Sequence, residues 1–285
     1  DANNNQCECP ECSKKIPSDF YVMLLNEIDE EFKRRGINMR VVFIMYNDTM
    51  WPPESEKLLN EDRFTLLLAL SRSYNQSYTN EKYQGELPKY ERNNYNLPRS
   101  FPLKIAFYDE WKKNFKGKSI AFEYHFYTDH YNDPGYFDMA KILLEDMKAI
   151  GDFGFSGNIS DQTQRAFFPT GFPMCLMSEA LFDKSIEFDD FVADYFPAAF
   201  GEDGMMCAEY LSGLSKLFDP VSLRDESRTI VEEDTGISKT DKKQISAWKN
   251  NPEAAKRFAQ IPKYVEEFLP VIQKNMNTNN TCQAR

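Results

Sequence analysis

The chain has 285 residues, 41% of them hydrophobic and 14% aromatic, which suffices for one large folded domain or two ordinary ones. A net charge of −11 argues against nucleic acid and against an anionic membrane surface as partners, because phosphate recognition needs dense Lys and Arg. No apolar run reaches the roughly 18–20 residues that cross a bilayer; the longest, FTLLLAL, has the length of a strand.

In chain order, CECPEC comes first, followed by a helix over 19–35. Ser18 is its expected N-cap, and Tyr21, Leu24, Leu25, Ile28 and Phe32 recur at helical spacing before Gly36 ends it. RVVFIMY (40–46) and RFTLLLAL (63–70) read as buried strands. Residues 71–99 show no clear periodicity, which in a compact domain suggests a functional loop. A helix is expected over 103–115, stopped by Gly117, and SIAFEYHFY (119–127) reads as a third strand. Asp133 and Pro134 are suited to open a helix running to about Ile150, and FGFSGNIS supplies a fourth strand. Beyond Met174 only helical patterns appear, over 174–183, 187–199, 202–218 and 252–274, with a polar connector at 221–250.

Helices alternating with near-continuous apolar strands indicate an α/β fold with a parallel sheet. Four such strands suit the C-terminal half of an eight-stranded β/α barrel over 1–172, with a helical region over 173–285. On that reading Asp1 to Cys12 forms the loop after a preceding strand, in a chain that starts without Met. The alternative, a small doubly wound sheet, lacks its Gly-rich phosphate loop.

In such barrels the chemistry gathers where strands end. The loops there hold Tyr46 and Trp51, Arg72 and Tyr74, His125 and His130, and Gln162, Gln164 and Arg165. Aromatic faces and amide, carboxylate and guanidinium groups together suit sugar binding. Arg72 or Arg165 would clamp a substrate carboxylate. Both histidines of the chain fall within FEYHFYTDHYND, on or just after the third strand. Glycoside hydrolysis takes two carboxyl groups, about 5–5.5 Å apart for retention or about 6.5–9.5 Å for inversion. Asp129 is the first candidate, with Asp1 or Glu123 as its partner. Strand alternation puts Ala121, Glu123, His125 and Tyr127 on one face, where Glu123 and His125 are expected to pair and to look into the barrel.

Cys7, Cys9 and Cys12 have the spacing of a structural zinc site, with Cys175 or Glu11 as a fourth ligand; reduced thiols are the plainer reading and favour the cytoplasm. No cofactor is otherwise required.

CECPECSKKIPSDFYVMLLNEIDEEF, WPPESEKLLNEDRF, YHFYTDHYNDPGY, QTQRAFFPTG and AFGEDG resemble a large bacterial domain-of-unknown-function family, found in proteins similar to α-glucuronidases and other β/α-barrel glycoside hydrolases. The resemblance runs from residue 1 to about Pro220. It implies that an α/β domain and the first half of the barrel precede this segment, as the partner that completes it. It also implies that Asp1 follows the fourth barrel strand, where related glycosidases keep an acid. Asp161 is an additional acidic candidate that the family pattern does not supply. The expected function is a glycoside hydrolase acting on oligosaccharides, including uronic-acid-bearing ones. A non-catalytic carbohydrate-binding barrel is the alternative, and a zinc-dependent hydrolase using the cysteines and histidines is a third reading.

Overall fold

The structure is a computed structural model and describes residues 6–70, 74, 77–93, 100–127, 132–162, 167–219 and 252–275. It is an α/β protein that packs as two compact units. The first draws on Asp1–Arg72, Tyr78–Tyr124 and Ala149–Asp161, and the second on Ser73–Ser77, His125–Lys148 and Gln162–Arg285. The expected barrel portion, 1–172, is divided between the two, and the residues beyond it are grouped with the second.

The first unit is built on a four-stranded sheet. Its strands are β1 (Val41–Met45), β2 (Phe64–Ala69), β3 (Lys118–Phe126) and β4 (Asn158–Gln162), in the spatial order β1-β2-β3-β4. β1 pairs with β2 and β2 with β3 in parallel, with Phe43 opposite Leu66 and Leu68 opposite Ala121. Gly157 accepts from the Ala121 N–H at 3.0 Å, which brings β4 to the free side of β3. Two helices, α1 (Pro17–Arg34) and α2 (Phe101–Asn114), cover one face. Phe43 is the pin of that layer, 1% exposed, with ring centroids 6.3 Å from Tyr21 on α1 and 5.8 Å from Trp111 on α2. Burying one such side chain stabilises by about 1.5–3 kcal/mol. The other face is less covered. Val42 and Ile44 are 51% and 37% exposed on β1, and Ile159 on β4 is 41% exposed.

α1 starts two residues earlier than its sequence signals suggest. Ile16 takes the N-cap position with Pro17 at the first helical site, and the Asp19 carboxylate accepts from the Ile16 N–H at 3.1 Å. Ser18 instead donates its hydroxyl to the Trp51 carbonyl. Gly36 follows the helix at φ 67°, a left-handed conformation that suits glycine. Arg63 closes the turn into β1, donating to Asp29 Oδ1 at 2.8 Å and to the Met39 carbonyl at 2.6 Å. Burial opposes the charged Asp29, but Lys33, Arg63 and Asn60 together hold its carboxyl below the usual range.

Among its described residues the second unit is helical apart from the ends of β3 and β4. It holds α3 (Phe137–Ala149), α4 (Phe172–Phe182), α5 (Phe188–Phe200), α6 (Gly204–Phe218), α7 (Pro252–Phe258) and α8 (Ile261–Asn275). Its core is aromatic, with Phe172 and Phe196 both 0% exposed and 5.2 Å apart, and Phe137 stacked against each. The helix expected over 252–274 is therefore two helices, and the fourth strand sits at 158–162 rather than from 153. α3 begins at Phe137, not at Pro134. Asp133 does hold its start, accepting from the N–H groups of Tyr136 at 2.9 Å and Met139 at 2.8 Å. Among the described helices none is long and apolar enough to cross a membrane.

Candidate functional site

Three polar side chains stand at the strand ends of the first unit, where Tyr124 is hydrogen-bonded to Tyr46 and feels the charge of Asp161. Tyr46 follows β1, Tyr124 lies near the end of β3, and Asp161 lies on β4. Tyr124 is half-buried and its hydroxyl is within hydrogen-bonding reach of Tyr46. Burial first, then the Tyr46 phenol and the Asp161 carboxylate, push the Tyr124 phenol well above its ordinary value. Tyr124 therefore keeps its proton and serves as a hydrogen-bond donor beside an exposable carboxylate. Gln162, next on β4, is exposed. Tyr46 and Gln162 were expected among the binding residues and Asp161 as an additional acid; Tyr124 was not singled out.

Trp51 lies deeper than its expected role requires. It is 5% exposed and its indole N–H donates to the Pro88 carbonyl at 2.8 Å. It lines a groove of about 510 Å³ together with Pro52, Pro88, Tyr90 and Phe107. Neither Tyr46, Tyr124 nor Asp161 lines that groove.

Alternation along β3 puts Ser119, Ala121, Glu123 and His125 on one side, all of them buried, while Ile120, Phe122 and Tyr124 are half-buried on the other. The buried side is the one the helices cover, which corrects the expectation that Glu123 and His125 look into a barrel. Their partners differ too. Glu123, 0% exposed, accepts from the Tyr78 hydroxyl, and the Tyr78 ring stacks on Phe101 of α2 at 4.5 Å. In the second unit, His125 Nε2 meets Asp146 Oδ2 of α3 at 2.7 Å, and Tyr74 tilts over the imidazole at 4.6 Å. A carboxylate only accepts, so Nε2 carries the hydrogen. His125 and Asp146 reproduce the base and orienting acid of a nucleophilic triad, but in a side-chain environment of 0% exposure. Among the described residues Nδ1 has no hydrogen-bond partner.

The cysteines do converge. One sulfur each from Cys7, Cys9 and Cys12 lies within 4.8 Å of the other two, on an exposed loop. The Cys12 N–H points at Cys9 Sγ, 3.5 Å away. That backbone N–H, then Cys7, Cys12 and the Glu11 backbone, bring the Cys9 thiol down to about 7, while hydrogen bonds with Cys9 and Cys7 push the Cys12 thiol up to about 11. Glu11, one of the suggested fourth ligands, bonds Lys14 at 2.8 Å instead. Arg92 fastens the loop from behind. It donates to the carbonyls of Cys7 at 3.2 Å, Cys12 at 2.9 Å and Lys15 at 2.5 Å.

Asp1, Arg72, Asp129, His130, Gln164 and Arg165 lie outside the described residues. Tyr78, Arg92 and Asp146 went unnoticed in the sequence for a common reason. Each acts at long range, and nothing within a few residues of it marks the partner.

No family model matches the sequence, and neither the curated proteins nor the solved structures gave a match.

Proposed function

We propose that the chain provides part of a β/α-barrel glycoside hydrolase, with sugar bound at the strand ends around Tyr46, Tyr124 and Asp161. The observation that carries this reading is the convergence of two phenols and a carboxylate from three strands at one end of a sheet. Phenols offer both a flat face for sugar C–H surfaces and a donor for hydroxyls. The barrel is supported by the incompletely covered face at Val42, Ile44 and Ile159, because parallel sheets are ordinarily covered on both sides. A further set of strands, the first half of the barrel, would cover it. Asp161 then joins Asp129 and Asp1 as an acid, and His130, Arg72, Gln164 and Arg165 are assigned to substrate.

The burial of Glu123 against Tyr78 favours a second reading, a carbohydrate-binding barrel without turnover, since it takes one of the named carboxyls away from substrate. A panel of aryl glycosides, including glucuronides and galacturonides, tested on a protein that carries the complete barrel, separates the two. Turnover abolished by Asp161→Asn or Asp129→Asn, with the fold intact, supports hydrolysis. Saturable thermal stabilisation by a sugar without turnover supports binding alone. Neither response to any sugar overturns both.

A further inference from the structure

We propose that Cys7, Cys9 and Cys12 form a binding site for one zinc ion, held by three thiolates with its fourth position open to solvent. The proposal does not depend on the sugar site above. A Zn–S bond of about 2.3 Å at the tetrahedral angle sets sulfurs about 3.8 Å apart. Three sulfurs already within 4.8 Å of one another need only small side-chain rotations to reach that spacing.

The loop is braced as a ligand loop should be. Three backbone carbonyls are tied to the Arg92 guanidinium. Asn93 adds bonds to the Gln6 carbonyl at 2.9 Å and to Glu8 Oε1 at 2.8 Å, and the Ser13 N–H closes a turn on the Cys9 carbonyl at 2.9 Å. The Cys12 N–H is aimed at Cys9 Sγ, the kind of outer contact that orients a metal-bound sulfur. Charge is consistent as well. Three thiols release three protons on binding Zn²⁺, leaving a net −1 complex beside the cationic Arg92. Three soft thiolates select zinc or another thiophilic ion over magnesium or calcium. Among the described residues no carboxylate or imidazole joins the group, and Cys7 and Cys9 are themselves exposed, which leaves water or an exchangeable anion as the fourth ligand we propose.

The test uses the whole chain, purified reduced and loaded with zinc, then with Co²⁺ as a spectroscopic substitute. The expected result is about one zinc per chain surviving dialysis, and for cobalt an intense near-ultraviolet sulfur-to-metal band. The Cys7→Ser/Cys9→Ser/Cys12→Ser variant should lose both, at unchanged circular dichroism. Cys175→Ser/Cys207→Ser should keep both. Zinc retained equally by the triple variant would overturn the proposal, as would a wild-type chain holding less than about a tenth of an equivalent. A disulfide within the loop of the freshly purified, unreduced chain, seen as a two-hydrogen mass deficit with no zinc, would also overturn it.

Discussion

His125 Nε2 lies 2.7 Å from Asp146 Oδ2, with both side chains at 0% exposure. Breaking a buried pair by removing one member costs about 3–5 kcal/mol, since it strands the other without a solvent partner. Asp146→Ala should therefore lower stability by about 3 kcal/mol or more, while Asp146→Asn, which keeps an acceptor oxygen, should lose clearly less. Urea midpoints at unchanged slope measure both. Equal effects of Ala and Asn would mean that the imidazole contact contributes little.

Asp133 should make the second unit pH-sensitive. Burial raises its carboxyl to about 6, against bonds from Met139, Ser215 and Tyr136 that lower it. A folded-state value above the unfolded one favours the protonated native state. This group's contribution is thus complete below about pH 4 and is lost as pH rises towards 6, by on the order of 3 kcal/mol. Asp133→Asn should flatten that slope while lowering stability throughout, because one acceptor oxygen replaces two. Denaturation curves of both proteins from pH 4 to 7 give the comparison; parallel curves would remove Asp133 as the cause.

Gly135 is fixed by closeness rather than by its backbone angles. A Cβ there would lie 1.8 Å from the Leu211 carbonyl oxygen and 2.6 Å from Ser215 Oγ. Gly135→Ala must push the start of α3 away from α6, breaking the Phe137 N–H bond to Ser215 as well. A loss of about 3 kcal/mol or more is expected in thermal or urea unfolding. Gly36→Ala, with open space around its Cβ position, should cost only the left-handed backbone penalty, roughly 1–2 kcal/mol.

Asp19 serves three backbone donors at once. It accepts from Ile16 at 3.1 Å, Ser55 at 2.8 Å and Glu56 at 3.1 Å while itself 1% exposed. Asp19→Ala should cost about 2–4 kcal/mol, more than an ordinary cap, and should raise hydrogen exchange at Ser55 and Glu56 first. Exchange unchanged at those two amides would contradict the assignment.

β1 and β2 were legible because their apolar runs are continuous and end at polar residues. The alternation of β3 told which side chains share a face, yet not which face the helices cover. That depends on α2 and on Tyr78, forty-five positions away from Glu123. β4, NISDQ, has a single large apolar residue, so its start was drawn too early. The break between α7 and α8 had a usable sign in Pro262, which has no N–H to bond back to Phe258 and suits the first turn of a new helix. Asp146 had none. Among the candidate residues, the cysteine trio was readable because its members are neighbours in sequence. Tyr124 was hidden because a tyrosine in a strand ordinarily signals packing.

The spatial order of the four strands is also their order along the chain. Each strand therefore needs only the one synthesised before it as a docking surface, with no later segment threading between earlier ones. Growth of this kind keeps loop-closure costs incremental and lets the sheet assemble from its first edge while synthesis continues. It also makes the architecture tolerant of editing in whole strand–helix steps. One more step beside β1 or β4 leaves the β1–β2 and β2–β3 pairings where they were.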